Sequence, residues 1–225
     1  MKNLRFIRFW LLLTMGLATV VFNSCKEDKE EDSKQEQNNP NDPNNPDIPY
    51  ELLHDEGVVI NGIKWATRNV NKPGTFTATP QDPGMFYQWN RLTGWAATGK
   101  IVGWDRLGAT GNTWEKANDP CPTGWRVPTD EEQRSLVNAG SQWVTTPTKG
   151  RIFGSDNSTI FLPAAGWRHT EGGDLSSVGL GGSYWSSSPF SIYALYLDFD
   201  KNYAAASQDY YRANGYSVRC VCEAD

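Results

Sequence analysis

Val127-Pro128-Thr129-Asp130-Glu131-Glu132-Gln133-Arg134-Ser135-Leu136-Val137-Asn138-Ala139-Gly140 is the clearest helical stretch in the chain. Thr129 and Glu132 have the spacing of a capping box, in which each side chain satisfies the other residue's backbone N–H. Asp130 and Glu131 fall in the first turn, where negative charge complements the helix dipole. Gly140 is placed to end the element, so the spacing predicts a helix over about 130–138. Trp125, just ahead of the Pro, reads as a bulky anchor under the helix start.

Outward from that helix the pattern changes to strands and turns. Val58-Val59-Ile60-Asn61-Gly62-Ile63-Lys64-Trp65 joins two apolar runs through Asn-Gly, which suits a type I′ hairpin. Met85, Tyr87 and Trp89 alternate with Phe86, Gln88 and Asn90 and predict a strand with one buried face. Residues 94–124, rich in Gly, Trp and Asn, show no period and read as long ordered loops. After the helix come Ile160-Phe161-Leu162, then Tyr184-Trp185, then an alternating run from Tyr193 to Phe199. A turn at Lys201-Asn202 sends Tyr203 onward back as its partner. Asn214-Gly215 precedes a last strand, Tyr216 to Cys222, in which Val218 and Cys220 take central places. No repeat of 20–50 residues is present. Short strands, one firm helix and many Gly turns predict an α+β fold with long loops.

The 225 residues are 38% hydrophobic, enough for one folded domain with a sizeable core. A net charge of −5 gives no support for nucleic-acid binding, which calls for a basic stripe. Two histidines argue against a multi-His metal site.

The charges divide along the chain. Residues 1–25 hold three cations, Lys2, Arg5 and Arg8, ahead of an apolar run from Phe9 to Phe22. That run is too short for the ~30 Å of a bilayer core and suits the centre of a signal peptide. Ser24-Cys25 then opens onto a wholly polar segment. The arrangement resembles a bacterial lipoprotein signal, with 1–24 removed and Cys25 lipidated, although Phe22 and Asn23 depart from the usual residues there. Residues 26–49 contain eight acids, three lysines and four Pro, with Ile48 the one strongly apolar residue. Such a segment buries too little surface to fold and reads as a disordered tether over 25–49. Its acidic start resembles the surface-export signal of Bacteroidetes lipoproteins. The expected location is the outer membrane, lipid-anchored and exposed at the cell surface, with a single domain over 50–225.

In an exported setting Cys121, Cys220 and Cys222 allow one disulfide and one leftover thiol. Cys220 and Cys222 fall on the same face of a strand and suit each other poorly. Cys121 is therefore expected to pair with one of them; Cys220 is favoured and Cys222 stays open. Three cysteines without a C-x-x-C spacing or a nearby His make a poor zinc site.

Four blocks are distinctive together: Cys121-Pro122-Thr123-Gly124-Trp125-Arg126-Val127-Pro128-Thr129, Leu162-Pro163-Ala164-Ala165-Gly166-Trp167-Arg168, Tyr184-Trp185-Ser186-Ser187-Ser188, and Arg212-Ala213-Asn214-Gly215-Tyr216-Ser217-Val218-Arg219-Cys220-Val221. In that order they resemble the Fibrobacter succinogenes major paralogous domain, a family of exported and often lipidated bacterial proteins. Val59 to Thr67 and Tyr87-Gln88-Trp89-Asn90 are similar to its N-terminal part, so the likeness runs over roughly 57–222. It implies a C-type-lectin-like fold, more distantly related to formylglycine-generating enzymes, and it gives Cys121 and Cys220 framework positions. It implies no defined activity. Reactive cysteines of the oxidase kind are not provided for, and Gln133 stands where those enzymes usually carry Trp.

Other chemistries leave weak traces. The Glu-Pro-Asn, Gln-Pro-Asp and Trp-Asn-Asp triplets of calcium lectins are absent. Asp198-Phe199-Asp200-Lys201-Asn202 begins like an EF-hand, but Tyr203 replaces the turn Gly and the flanks read as strands, so it is expected to be a hairpin turn. No catalytic residue, metal or cofactor is assigned. What remains is an aromatic surplus: nine Trp and nine Tyr beyond residue 49. Aromatic faces beside amides and carboxylates suit sugar rings, which stack through C–H faces and hydrogen-bond through hydroxyls. Trp143, Trp167, Arg168, His169, Tyr210 and Tyr211 are the candidate platform. The expected role is a non-catalytic binding or adhesion module for a glycan or a cell-surface protein, with a structural subunit of a surface or fimbrial assembly as the alternative.

Overall fold

A computed structural model describes residues 48–222. Residues 1–47, which hold the expected signal peptide, the lipidated Cys25 and nearly all of the tether, lie outside them. In chain order the elements are α1 (Tyr50–Leu53), β1 (Val58–Ile60), β2 (Ile63–Trp65), β3 (Phe86–Tyr87), β4 (Gly94–Trp95), a 3-10 turn (Lys116–Asn118), β5 (Trp125–Arg126), α2 (Asp130–Asn138), β6 (Ser141–Val144), β7 (Gly150–Ser155), β8 (Ser158–Pro163), β9 (Trp167–Arg168), β10 (Leu175–Ser176), β11 (Gly181–Phe190), β12 (Tyr193–Asp200), β13 (Ala204–Tyr211) and β14 (Val221–Cys222). Antiparallel strands in several small sheets around one clear helix make the architecture α+β.

The expected helix forms over its expected span. The Thr129 hydroxyl accepts from the Glu132 N–H at 3.2 Å, and the Glu132 carboxylate accepts from the Thr129 N–H at 2.7 Å. Its inward stripe is Asp130, Gln133 and Leu136, spaced three apart. Leu136 enters an apolar cluster with Phe153, Ile160, Leu162, Leu197 and Phe199. Gln133 donates to the carbonyls of Tyr184 and Trp185 on β11, both at 3.0 Å, and ties the helix to a second sheet.

Three sheets carry the frame. One has the order β1-β2-β14-β5, one is the meander β6-β7-β8, and one is β11-β12-β13. Asn61 and Gly62 both adopt positive φ, 51° and 81°, as the type I′ turn between β1 and β2 requires. Along β12 the buried residue is first Ala194 and later Leu197 and Phe199. A register shift against β13 between Tyr196 and Asp198 moves the buried face from even to odd positions.

Three expectations need correction. The segment around Met85–Asn90 forms only the two-residue β3, and both of its faces are covered: Phe86, Tyr87, Gln88 and Trp89 are all buried. The last strand is β14 alone, although Val218 and Cys220 are buried in the centre as expected. Cys121 and Cys220 form the disulfide, with Cα atoms 6.1 Å apart across 99 residues of chain. The leftover thiol does not occur; no cysteine among the described residues is free.

The long loops are irregular, so their carbonyls need donors other than ladder partners. Buried arginines supply them. Arg219 donates to the Ala66 and Phe161 carbonyls and, twice, to the Asn69 side-chain oxygen. Burial pulls its guanidinium down to about 10, still charged at neutral pH. Arg168 donates to the carbonyls of Ala96, Thr98, Gly99 and Gly173. Arg212 does the same for Ala109, Gly111, Ser191 and Tyr193.

Candidate ligand-binding surface

β9 is only two residues long, but its alternation sorts the segment 167–169. Arg168 points inward and is buried, while Trp167 and His169 share the other face with ring centroids 4.0 Å apart. Gly166 sets the approach. Its φ is +73°, and a Cβ there would stand 2.1 Å from the Ser176 carbonyl oxygen, so only Gly allows β9 and β10 to close.

At the end of β13, Tyr210 and Tyr211 are exposed, 42% and 47%, and their rings meet edge-on at 5.2 Å. Register places Tyr211 opposite Tyr193, 5.2 Å away, and Tyr210 opposite Ala194. Trp167 lies 6.4 Å from Tyr210. His169, Trp167, Tyr210, Tyr211 and Tyr193 thus form one aromatic strip. Beneath it, Tyr216 and Trp185 are buried with centroids 4.2 Å apart, and Trp167 packs on Tyr216 at 6.2 Å. Gln208 and Asp209, both exposed, precede the two tyrosines and offer an amide and a carboxylate at the rim.

Of the six residues the sequence nominated, four lie on this strip. Arg168 does not: its guanidinium is spent on four backbone carbonyls and faces the interior. Trp143 belongs elsewhere, on β6, where its half-buried ring packs 6.5 Å from Phe199 against the apolar cluster. Sequence reasoning missed Tyr193, although the β12–β13 hairpin carried the signal, since pairing across its turn sets the start of β12 against the end of β13.

Two phenols here, Tyr193 and Tyr196, are held above their ordinary value. Tyr193 is raised by its hydrogen bond with Tyr211 and by that neighbour's charge. Tyr196, at the strip's inner edge, is pushed up to about 12 by burial and then by Asp198. Neutral phenols donate as well as accept, which suits a hydroxyl-rich ligand.

The strip ends at a groove. Tyr211 forms one wall; the loop 106–112, Thr170 and the 191–192 turn form the others, enclosing about 410 Å³. Arg212 lies under it, with its guanidinium 4.3 Å over the Trp89 ring.

The EF-hand-like segment forms the β12–β13 turn. The Asp200 carboxylate accepts from the N–H groups of Asn202 and Tyr203, and Asp198 accepts from the hydroxyls of Ser183 and Tyr203. Both carboxylates are thereby used within the β11–β13 sheet and its turn. Among the described residues no three His, Cys, Asp or Glu gather as metal ligands.

No protein-family model, no curated protein and no solved structure matches the chain.

Proposed function

We propose that this protein is a surface-tethered lipoprotein of the outer membrane whose α+β domain is a non-catalytic binding or adhesion module for glycans. The domain's resemblance to the Fibrobacter succinogenes major paralogous family, and through it to C-type-lectin-like folds, supports the reading. The observation that carries it is the aromatic strip from His169 to Tyr193, exposed at Tyr210 and Tyr211 and backed by buried Trp185 and Tyr216. Sugar rings stack on such faces, and the flanking Gln208 and Asp209 supply polar partners.

The test is the purified full chain on a broad glycan array, with calcium and again with chelator. Reproducible binding to one glycan class, reduced in Tyr210→Ala, supports the reading; a blank array under both conditions contradicts it. Loss with chelator only would show a metal requirement. The tether is tested separately. Cys25→Ser should abolish incorporation of a palmitate label and release the protein from the membrane fraction, whereas unchanged labelling would remove the anchor assignment.

A second reading is a structural subunit of a surface assembly, favoured by the β11–β12 turn, where Phe190 and Ile192 are 53% and 70% exposed beside the same strip. Under it the array is blank, and Ile192→Asp reduces crosslinking to neighbouring surface proteins.

A further inference from the structure

We propose that the 410 Å³ groove beside Tyr211 binds a carboxylate-bearing sugar residue, with Arg106 as the group that holds the carboxylate; this rests on the glycan reading above. The volume lies within the range of small-ligand sites. The chain as a whole is acidic, at −5, yet the groove is not: two arginines and no carboxylate line it. An arginine pair without a neutralising acid attracts an anion.

The two arginines divide the work. Arg212 is buried, and its donors are taken by the carbonyls of Ala109, Gly111, Ser191 and Tyr193. Those carbonyls are neutral, so its charge remains while its geometry pins two walls together. Arg106 is exposed and makes no ion pair or hydrogen bond among the described residues. Its neighbour Asp105 is engaged, accepting from the Leu107 N–H at 2.8 Å and facing Arg91 at 3.5 Å. Arg106 is therefore left with its planar fork of donors for a carboxylate.

The remaining lining fits a sugar ring. Thr110, Asn112, Thr170 and Ser191 bring hydroxyl and amide groups, and Tyr211 with Ile192 gives an apolar side. The wall at Thr170 is fixed as well, because the Trp104 indole N–H donates to its carbonyl at 2.9 Å. Walls fixed before binding lower the ordering cost of capture. Tyr211 belongs to both strip and groove, so a glycan chain stacked along the strip would deliver one residue to Arg106.

The test uses the full chain and three probes: trigalacturonate, the same trisaccharide with its carboxyls reduced to alcohols, and a sulfated neutral trisaccharide. Trigalacturonate should bind about tenfold or more tightly than the reduced form, as charge-assisted hydrogen bonds allow. Arg106→Gln should erase that preference with unchanged Tm, and Arg106→Lys should restore part of it. Equal binding of all three probes, or an Arg106→Gln protein that keeps the preference, overturns the proposal and leaves the glycan reading standing. Preference for the sulfated probe overturns the carboxylate assignment. Binding of none overturns the proposal, and the broad array decides the glycan reading separately.

Discussion

The two sides of this domain hold themselves together by different means. On one side, α2, the β6–β8 meander and β12 enclose Leu136, Phe153, Ile160, Leu162, Leu197 and Phe199, and their backbone groups pair in ladders. On the other, the loops spanning 96–111 and 166–174 have few ladder partners, and Arg168 and Arg212 collect eight of the nearby carbonyls. A guanidinium offers five donors and no acceptor, so it suits a place where several carbonyls converge without N–H partners. The first side is bound by apolar area, and the second adds charge-assisted hydrogen bonds to its own cluster of Trp89, Trp185 and Tyr216. The groove lies on the second side, and the aromatic strip bridges the two, with Trp167 and His169 from the loop side and Tyr193, Tyr210 and Tyr211 from the β12–β13 ladder. Irregular backbone places residues that no regular strand would bring together, and the buried cations keep it in place.

Predictions that probe this contrast can be ranked by size. Breaking the Cys121–Cys220 disulfide, by Cys121→Ala with Cys220→Ala, reopens a loop of 99 residues and should cost up to about 4.7 kcal/mol in urea unfolding. A loss below about 1 kcal/mol would mean that the arginines and apolar clusters alone fix the join between β14 and the segment before the helix. Phe153→Ala, on the ladder side, should cost about 3–5 kcal/mol and weaken the whole domain evenly. Arg168→Met should cost a comparable about 3 kcal/mol, because four carbonyls lose their donor. Its signature differs: hydrogen exchange should speed up locally in 96–99 and 173–176 before the meander responds. Uniform exchange in both variants would erase the distinction between the sides. Thr129→Ala, which removes half of the capping box, should cost about 1 kcal/mol.

Stability against pH gives a further check. Burial raises the Glu132 carboxyl, but hydrogen bonds from Arg126 and Thr129 outweigh that and hold it below its ordinary 4.5. The folded protein therefore binds fewer protons there than the unfolded chain. This contribution is present above pH 4.5 and is lost as pH falls through the folded value. Tyr184 and Tyr196 move the other way, up to about 12 through burial from an ordinary 10. Their contribution is full below pH 10 and is lost as pH rises from 10 towards 12. A Tm profile should accordingly be flat between these limits and fall on both flanks, the alkaline fall partly offset by Arg219, whose lowered value acts with the opposite sign. Glu132→Gln should flatten the acid flank alone.

The contrast also governs what could be read from the sequence. α2 was legible because a capping box is local, and the β1–β2 hairpin because Asn61-Gly62 dictates its turn. The β12–β13 hairpin followed from alternation, though the bulge after Tyr196 shifts the pairing so that Tyr193 meets Tyr211. β6 and β7 were not legible. Gly150-Arg151-Ile152-Phe153-Gly154-Ser155 lacks alternation, and Arg151 is buried because its guanidinium reaches the carbonyls of Asp200 and Tyr203. Arg168 was misread for the same reason. A charge beside Trp167 looks like surface until the loops that bring it four carbonyls are seen. The groove at Arg106 depends on four separate segments of the chain, and no local pattern announces that.

The most direct test of the account compares function and stability in one variant. Tyr210→Ala removes the centre of the exposed strip and touches none of the arginine contacts. Measured on the same sample, its affinity for the glycan class found on the array should fall about tenfold or more, while Tm stays within about 1 °C of the parent, as for other exposed substitutions. Unchanged affinity would contradict the account, because the strip would then be a packed edge of the domain with no part in binding.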